Sequence, residues 1–340
     1  MIFAIETSCD ETSTAILSLE GKLLSHIIVN QENHSKFGGV VPEIASRAHL
    51  EILQKIIPQS LKNAGIKVNN IEIFSATSGP GLIGGLLVGS IMAKSMALGS
   101  NKPFYPINHL EGHLLSPLIN SKLKFPYLAF LLTGGHTQIY LVEKIGCYKL
   151  LGESVDDAIG ESFDKVAKLL GLGYPGGPLI EKKAKLGDKN SYNLPHPLEF
   201  KKTLNFSFSG IKTAVTILVK NQKKIDEELI NNLSASFQNK IIEILIKKAS
   251  STIKYVYKKG YKINDIAIVG GVAANEKINS AFRELCEKNN CNVFFPKKEF
   301  CGDNAAMIAW ACLERYKNDL KPDLNFKPNP RWSLSKIISL

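Results

Sequence analysis

A chain of 340 residues is long for a single compact core, so two domains or two lobes are expected. Its hydrophobic content of 44 % is ordinary for a globular protein, whereas its net charge of +11 favours a polyanionic partner such as nucleic acid. The six cysteines form no Cys-x-x-Cys pair and no signal peptide or membrane span is visible, which argues against disulfide scaffolds, zinc ribbons and membrane proteins and predicts a cytoplasmic location.

In chain order, the first part of the sequence alternates short apolar runs with polar or glycine-containing turns. Such runs predict β-strands, and longer stretches with helical spacing lie between them. A strand that enters Ser78-Gly79-Pro80-Gly81 leads into a helix whose first N–H groups could face a phosphate. The predicted strands are 2–6, 15–19, 23–29 and 71–77, and the predicted helices are 42–64, a stretch that ends at Leu98, and 109–119.

The second part of the chain repeats the same devices. Apolar runs again alternate with turns, and a later strand enters Gly270-Gly271 before a helix. Two such halves predict a duplicated α/β protein whose lobes enclose a ligand-binding cleft. We assign the N-terminal lobe to residues 1–126, with a segment from about 305 to 340 packing back on it, and the C-terminal lobe to 127–304. The predicted strands are 128–132, 139–142, 148–151 and 266–269, the predicted helices are 156–170, 209–221, 226–259 and 275–288, residues 174–178 form a rigid turn, and an irregular strap starts at 317.

His109 and His113 are spaced so that both imidazoles point from one face of a helix. This spacing suits one shared metal ion, although a pair of packing histidines is the alternative. A zinc metalloprotease needs its general-base glutamate directly after the first histidine, where this sequence has Leu110, so a protease is disfavoured. We select Asp303 as the third ligand; alternatively it only caps the helix that runs to Tyr316.

Two turns at equivalent places in the two halves carry further candidates. The turn 133–137 contains two consecutive glycines whose N–H groups could form an anion nest, unless it is a plain hairpin connection. Its counterpart 8–12 carries Asp10 and Glu11 instead. Acids there suggest metal organisation, a general base or contact with a substrate amine. On the predicted helix 156–170, an acid facing the cleft could bind a ribose hydroxyl.

Six motifs follow one another from the first ten residues to beyond residue 300. They are Ile5-Glu6-Thr7-Ser8-Cys9-Asp10-Glu11-Thr12, His109-Leu110-Glu111-Gly112-His113, Thr133-Gly134-Gly135-His136-Thr137, Phe206-Ser207-Phe208-Ser209-Gly210, Gly270-Gly271-Val272-Ala273-Ala274-Asn275 and Gly302-Asp303-Asn304. Together they resemble the TsaD family over nearly the whole chain. One position departs from the pattern: many members have His-His-Met-Glu-Gly-His, and Asn108 stands at the first of these places.

The resemblance implies the actin-like fold of hexokinase and the heat-shock ATPases, with a central cleft. It implies transfer of threonylcarbamoyl from threonylcarbamoyl-AMP to N6 of adenosine 37 in tRNAs that read ANN codons, which forms t6A and releases AMP. By position, the ligands of one divalent ion, Fe²⁺ or Zn²⁺, would be His109, His113 and Asp303. The acids implicated in activity would be Asp10 and Glu11, and the substrate contacts would be Leu131, Leu132, Thr133, Gly134, Gly135, Asp164, Gly177 and Asn275.

The resemblance also implies partners. They are the anticodon loop of tRNA and, in bacteria, a truncated paralogue (TsaB-like) and a small ATPase (TsaE-like). The lysine clusters 182–185, 201–202 and 223–224 are candidate phosphate contacts. Two other functions remain open, an ATP-dependent small-molecule kinase of the same fold and a non-catalytic nucleotide-binding scaffold. A kinase would need Mg²⁺, which prefers oxygen ligands, so the paired histidines disfavour it.

Overall fold

The protein was analysed as a computed structural model that describes residues 1–31, 40–199, 201–222 and 224–339. The chain divides into two compact units. Unit 1 comprises Met1–Lys122, Lys144–Tyr148 and Pro296–Leu340, and unit 2 comprises Leu123–Glu143 and Lys149–Phe295. Within the described ranges, no helix combines the length and the apolar character that crossing a membrane requires.

Each unit contains five strands and several helices. The first half of the chain supplies β1 (Ile2–Glu6), β2 (Glu11–Leu17), β3 (Leu23–Asn30), α1 (Pro42–Ala64), β4 (Ile73–Gly79), α2 (Ile83–Gly99), β5 (Phe104–Asn108) and α3 (His109–Leu115). The second half supplies β6 (Tyr127–Leu132), β7 (Thr137–Lys144), β8 (Cys147–Glu153), α4 (Ile159–Leu169), α5 (Gly176–Ala184), α6 (Ser209–Lys220), α7 (Glu227–Lys258), β9 (Asp265–Val269), α8 (Glu276–Lys288), β10 (Asn292–Phe294) and α9 (Ala305–Lys317).

Unit 1 is built on a sheet with the strand order β3-β2-β1-β4-β5. The central strand β1 is antiparallel to β2 and parallel to β4, and all of its residues are buried. A strand covered on both faces needs a continuous apolar run, and residues 2–5 are apolar throughout. Because β1, β4 and β5 run in parallel, their carboxyl ends meet at one edge of the sheet, where Glu6, Thr77 and Asn108 lie.

Unit 2 repeats this sheet. Its strand order is β8-β7-β6-β9-β10, with β6 antiparallel to β7 and parallel to β9, and β9 parallel to β10. Each strand therefore occupies the place of its counterpart five strands earlier in the chain. The predicted duplication of an α/β unit is confirmed.

Most predicted elements are confirmed, and the differences have local causes. The helix predicted at 109–119 ends as an α-helix at Leu115, because Pro117 has no N–H to donate to the carbonyl of His113. The Ser116 hydroxyl donates to that carbonyl instead, at 2.8 Å. The helix predicted from residue 156 begins at Ile159, because the side chain of Asp156 is engaged elsewhere.

Three elements were missed. β5 contains Pro106, which disfavours a central strand but is tolerated here because β5 lies at the edge of its sheet. The second missed strand, β10, also lies at the edge of its sheet and has only three residues, too few for a recognisable pattern. The predicted rigid turn 174–178 runs into α5, where Pro178 occupies the first turn and so loses no helical hydrogen bond.

The two units differ from the predicted lobes around residue 300. The interval 296–304, assigned from sequence to the C-terminal lobe, belongs to unit 1, and with it Asp303. Residues 123–126 belong instead to unit 2. Helix α9 packs against β1 and β2, which explains why the chain ahead of it also belongs to unit 1.

The C-terminal strap lies against the turn that follows β4. The Asn329 N–H donates to the carbonyl of Ser78 at 2.8 Å, and the Gly81 N–H donates to the carbonyl of Pro330 at 3.3 Å. At Gly79, φ is +142° and an added Cβ would lie 1.9 Å from the carbonyl oxygen of Asn329. Glycine is therefore required at this position for the strap to dock.

Gly79→Ala is expected to destabilise the protein by about 2 kcal/mol, because neither backbone can move without breaking the strap contacts. Gly99→Ala is the matched control, since an added Cβ there has no neighbour within 4 Å. Urea unfolding of both variants checks the expectation. Equal midpoints for the two variants would contradict it.

Candidate functional site

Helix α3 is capped by Asn108. The Asn108 Oδ1 atom accepts hydrogen bonds from the N–H groups of Leu110 (2.9 Å) and Glu111 (3.4 Å). Its Nδ2 group donates to the carbonyl oxygen of Trp332 at 2.9 Å, so the C-terminal strap holds the cap in place. The asparagine at this position thus fixes the first turn of the helix that begins with His109.

The structure brings the three predicted metal ligands together in unit 1. The Nε2 atoms of His109 and His113 lie 3.4 Å and 3.0 Å from the same Oδ1 atom of Asp303. One ligand atom from each residue lies within 4.8 Å of the others. Atoms bound to one ion at about 2.0–2.1 Å lie about 3.0–3.4 Å apart at ordinary coordination angles, so these separations fit a shared ion.

A second layer of side chains orients His109. Its Nδ1 atom lies 3.2 Å from Oε2 of Glu6 and 3.1 Å from the hydroxyl of Ser8. Glu6 is fully buried at the end of β1 and also accepts hydrogen bonds from the hydroxyl of Thr77 and the N–H of Ser8. A carboxylate on one imidazole nitrogen leaves the other free to bind a metal, as is usual around histidine ligands.

The expectation that Asp303 caps the last helix is wrong. The cap of α9 is Asn304, whose Oδ1 accepts from the N–H of Met307 at 2.9 Å. The N–H of Ala305, the first helical residue, donates to the hydroxyl of Ser13 at 2.9 Å. The Asp303 carboxylate is therefore directed to the histidines rather than to the helix.

Burial and neighbouring charges act in opposite directions on these groups. Burial alone would lower the pKa of His109, but the carboxylates of Asp303 and Glu6 raise it well above its ordinary value. Burial alone would raise the pKa of Asp303, but His109 and then His113 hold it well below its ordinary value. The pKa of His113 is lowered, mainly by burial. The cluster thus carries negative charge that a cation would neutralise.

Asp10 and Glu11 lie in unit 1, Asp10 in the turn after β1 and Glu11 at the start of β2. Burial, and then the charges of Asp303 and Asp10, raise the pKa of Glu11 well above its ordinary value. Burial, and then the charges of Asp303, Asp10 and Glu11, also raise the pKa of the Cys9 thiol. Glu11 is thus within electrostatic reach of the predicted metal ligand.

Sequence reasoning missed the device that holds α3 against α9. The buried Glu111 carboxylate lies 2.8 Å from Nε of the buried Arg315 and accepts a hydrogen bond from the Tyr148 hydroxyl at 2.7 Å. An added Cβ at Gly112 would lie 2.9 Å from the Cδ1 atom of Ile308, so glycine permits the close approach of the two helices. The feature of the sequence that could have indicated this packing is the pair Glu111 and Gly112 between the two histidines, because a metal motif requires the histidines alone.

Unit 2 contains the predicted glycine turn, between β6 and β7. The Thr133 N–H donates to the carbonyl of His136 at 2.8 Å, and the His136 N–H donates to the Thr133 hydroxyl at 2.9 Å. The first N–H groups of α4 donate to the carbonyls of Thr133 and Gly134, both at 3.2 Å. An added Cβ at Gly134 or Gly135 would have no neighbour within 4 Å, and no acceptor for their N–H groups is found in the described part of the chain. Hydrogen bonds therefore hold the backbone of the turn, and no atom of the described residues fills the space beside its two glycines.

The other predicted substrate contacts also lie in unit 2. Leu131 and Leu132 are fully buried in β6, so only their backbone could touch a ligand. The Asp164 Oδ1 atom accepts from the N–H of Gly176 at 2.7 Å, which joins α4 to α5, and Gly177 has open space beside it. Asn275 caps α8, with its amide donating to Gln238.

Comparison with known proteins identifies the family. Residues 22–310 match the family model described as TsaD: tRNA N6-adenosine threonylcarbamoyltransferase. The chain belongs to this family. The relative of that name from Rickettsia rickettsii (strain Sheila Smith) is 47 % identical over 340 residues, which cover 99 % of this chain and 98 % of that protein. The relative from Ehrlichia ruminantium (strain Gardel) is 45 % identical over 337 residues, covering 99 % and 97 %. The resemblance drawn from the six motifs is confirmed.

Solved structures confirm the actin-like fold. Full-length HypF in its phosphate- and nucleotide-bound form aligns with a TM-score of 0.60 at 12 % identity, covering 94 % of this chain and 47 % of that chain. Component A of the (R)-2-hydroxyglutaryl-CoA dehydratase of Acidaminococcus fermentans aligns with a TM-score of 0.51 at 15 % identity, covering 94 % and 99 %. At such low identity the likeness concerns the fold alone.

Asp303→Ala is expected to weaken binding of Zn²⁺ or Fe²⁺ by more than about 100-fold, since losing only a partner of a ligand costs about 10–100-fold. Glu299→Ala removes an exposed acid close to it in the chain and is expected to leave metal binding unchanged. Competition titration with a chelator measures both affinities. Equal affinities would exclude Asp303 as a ligand.

Proposed function

We infer that this chain is a tRNA N6-adenosine threonylcarbamoyltransferase. Two observations support the inference jointly: a family match that runs through most of the chain, and the convergence of His109, His113 and Asp303 from distant parts of the sequence. We further propose threonylcarbamoyl-AMP as the donor and adenosine 37 of tRNAs that read ANN codons as the acceptor.

In the proposed reaction, N6 of the adenine attacks the carbamoyl carbon of the mixed anhydride. A C–N bond forms, the bond from this carbon to the phosphate oxygen breaks, and AMP leaves with the charge already on its phosphate. Adenine N6 is a weak nucleophile, so positioning of the two substrates must supply much of the rate.

We propose that unit 2 binds the adenylate. The N–H groups of Gly134 and Gly135 would supply the donor dipoles that a phosphate or a developing oxyanion requires. Asp164 in the middle of α4 is joined to the start of α5, where Gly177 lies, and its carboxylate would accept a hydrogen bond from a ribose hydroxyl. Asn275 would contribute from the start of α8, and Leu131 and Leu132 through their backbone.

We propose that His109, His113 and Asp303 hold one divalent ion, Fe²⁺ or Zn²⁺. Two imidazole nitrogens with one carboxylate suit these ions, whereas Mg²⁺ prefers oxygen ligands alone. When bound, such an ion supplies Lewis-acid polarisation of the carbonyl oxygen. Glu6 and Ser8 would keep the Nε2 atom of His109 directed at it by occupying Nδ1.

We propose that Asp10 or Glu11 accepts the proton released from N6. Glu11 has a raised pKa, caused first by burial and then by Asp303 and Asp10, so it binds a proton more tightly than a free glutamate. Stronger basicity favours general-base catalysis as long as the group is ionised when the substrate arrives.

The kinase alternative is not favoured. It would require carboxylates that hold Mg²⁺, whereas the converging ligand atoms in unit 1 are two imidazole nitrogens and one carboxylate oxygen. The variant His109→Ala distinguishes an enzyme from a non-catalytic scaffold, because only an enzyme needs the proposed metal ligand for its activity.

We propose that the enzyme works in the cytoplasm, where its tRNA substrate is, in a complex with a truncated paralogue and a small ATPase. One observation supports a protein partner. Helix α2 exposes Ile83, Leu87 and Ile91 by 47, 40 and 57 %, and their spacing places them on one face. Leu98, 70 % exposed, continues this face, and contiguous exposed apolar surface is typical of an interface.

Cells depleted of this protein are expected to lose t6A from tRNA, as measured by chromatography and mass spectrometry of tRNA nucleosides. The wild-type chain and His196→Ala, which alters a histidine of unit 2 away from the proposed ligands, should restore it. His109→Ala should restore less than about 1 % of it, as loss of a metal ligand removes the Lewis acid. Persistence of t6A in depleted cells would contradict the function, and restoration by His109→Ala would favour the scaffold.

Gly135→Ala is expected to weaken AMP binding about tenfold or more, because the added methyl group occupies the space in front of the turn N–H groups. Its unfolding free energy should change by less than about 0.5 kcal/mol, since the methyl group meets no protein atom within 4 Å. Calorimetric titration with AMP and urea unfolding measure the two quantities. Unchanged AMP affinity would place the phosphate elsewhere.

A further inference from the structure

A segment of unit 2 carries lysines without any acid. Six lysines and no Asp or Glu occur from 201 to 225, and five of these lysines are described by the structure, Lys223 being outside the described residues. We name residues 201–222 and 224 the basic segment; it includes α6. Its lysines are Lys201, Lys202, Lys212, Lys220 and Lys224, of which all but the half-buried Lys212 are exposed.

These lysines differ from others in the same unit by lacking acidic partners. Lys183, Lys240 and Lys247 form ion pairs with Glu227, Glu243 and Glu199 at 2.9, 2.6 and 2.9 Å. Among the described residues, no carboxylate lies within 4.0 Å of a lysine nitrogen of the basic segment. The segment therefore presents uncompensated positive charge to solvent.

Asp156, an acid that contacts the basic segment, already accepts several hydrogen bonds from it. Asp156 accepts hydrogen bonds from the hydroxyls of Ser207 (2.5 Å) and Ser209 (2.7 Å) and from the N–H of Phe208 (2.8 Å). The buried Lys248 donates to the carbonyl of Thr203 at 2.7 Å. These bonds fix the first part of the basic segment, so that its charges are held in place rather than on a loose loop.

Asp156 also locates the basic segment relative to the glycine turn. It lines a surface depression of about 180 Å³ together with Gly135, His136 and Thr137. The residue that anchors Ser207 and Ser209 is thus a direct neighbour of the turn proposed to hold the adenylate. A polyanion whose acceptor base lies at that turn would have its backbone within reach of the basic segment.

We propose that the basic segment binds the sugar–phosphate backbone of the tRNA substrate next to the adenylate turn. The identity of the polyanion rests on the proposed function, whereas the surface rests on the unpaired lysines. An anionic membrane is the less suitable ligand, because an interfacial helix must expose a continuous apolar face, whereas Ile211 and Val215 of α6 are buried and Ile217 is the single exposed large apolar residue described in that helix. Exposed hydroxyl and amide groups of Thr213, Asn221 and Gln222 add donors for phosphate oxygens.

The test compares two triple variants of the full chain that lose the same charge. Lys201→Gln/Lys202→Gln/Lys220→Gln alters the basic segment, and Lys254→Gln/Lys258→Gln/Lys262→Gln alters three other exposed lysines of unit 2. Binding of an unmodified tRNA transcript is measured by filter retention as a function of NaCl concentration. For the first variant the slope of log K against log salt is expected to fall by about two units, with about 10–100-fold weaker binding at 0.1 M salt. The second variant should keep the wild-type slope.

Equal losses in the two triple variants, or none in either, would overturn the proposal, as would selective loss of binding to anionic phospholipid vesicles with tRNA binding intact. If the first variant fails to fold, Lys220→Gln alone should still lower the slope by about one unit. Formation of t6A by the wild-type chain is followed in parallel, in the depleted cells described above, where the donor and the partner proteins are present. If the wild type forms t6A but the two triple variants bind tRNA equally well, the proposed binding surface is wrong and the proposed function stands. If tRNA binding requires the basic segment but the wild type forms no t6A, the proposed function is wrong and the binding surface stands.

Discussion

Three polar side chains must reach one buried point in unit 1, and much of that unit is organised by this requirement. The imidazoles of His109 and His113 come from one turn of helix, and the carboxylate of Asp303 comes from the chain ahead of the last helix. Burying such groups without partners would cost several kcal/mol, so each must be compensated. Glu6 compensates the inner nitrogen of His109, and the proposed cation would compensate the remaining ligand atoms.

The backbone around these three side chains is held by contacts of residues that are not proposed to bind the metal or the substrates. Asn108 sets where α3 begins and is held by the strap through Trp332. Arg315 and Glu111 form a buried ion pair between α9 and α3, and such a pair constrains how two elements are arranged more than it adds net stability. Gly112 lets the two helices come close, and Asn304 takes over the cap and so releases Asp303. Metal ligands need positions accurate to about half an ångström, which such packing provides.

The duplicated α/β plan could be predicted from the sequence, because short apolar runs and glycine turns recur in both halves. It also gave the three candidate ligands and the glycine turn, because helical spacing and bare backbone are local properties. It could not give β5, since Pro106 argues against a strand unless the strand is known to lie at an edge. Nor could it distinguish Asp303 from Asn304 as the cap of α9, because neighbouring polar residues have similar capping preference. Glu111 stands out in the sequence because a metal motif does not require it, but its partner Arg315 lies far away in the chain, and a single sequence does not identify such a partner.

The equivalent hairpins of the two units differ in the groups that their turns present: acids in unit 1, and backbone N–H groups in unit 2. In unit 1 the end of the turn between β1 and β2 carries Asp10, followed by Glu11 at the start of β2, and burial and then the charges of Asp303 and Asp10 raise the pKa of Glu11. In unit 2 the turn at the equivalent place, between β6 and β7, carries no acid and leaves the N–H groups of Gly134 and Gly135 open. An acidic cluster attracts a cation or accepts a proton, whereas a bare turn attracts an anion. A mixed anhydride of a carbamoyl group and AMP needs both, because its phosphate must be held as an anion while its carbonyl is attacked by an amine that gives up a proton. The two sheets share one strand order, so the residues of the two equivalent turns would be enough, under the proposed function, to assign one of these tasks to each unit.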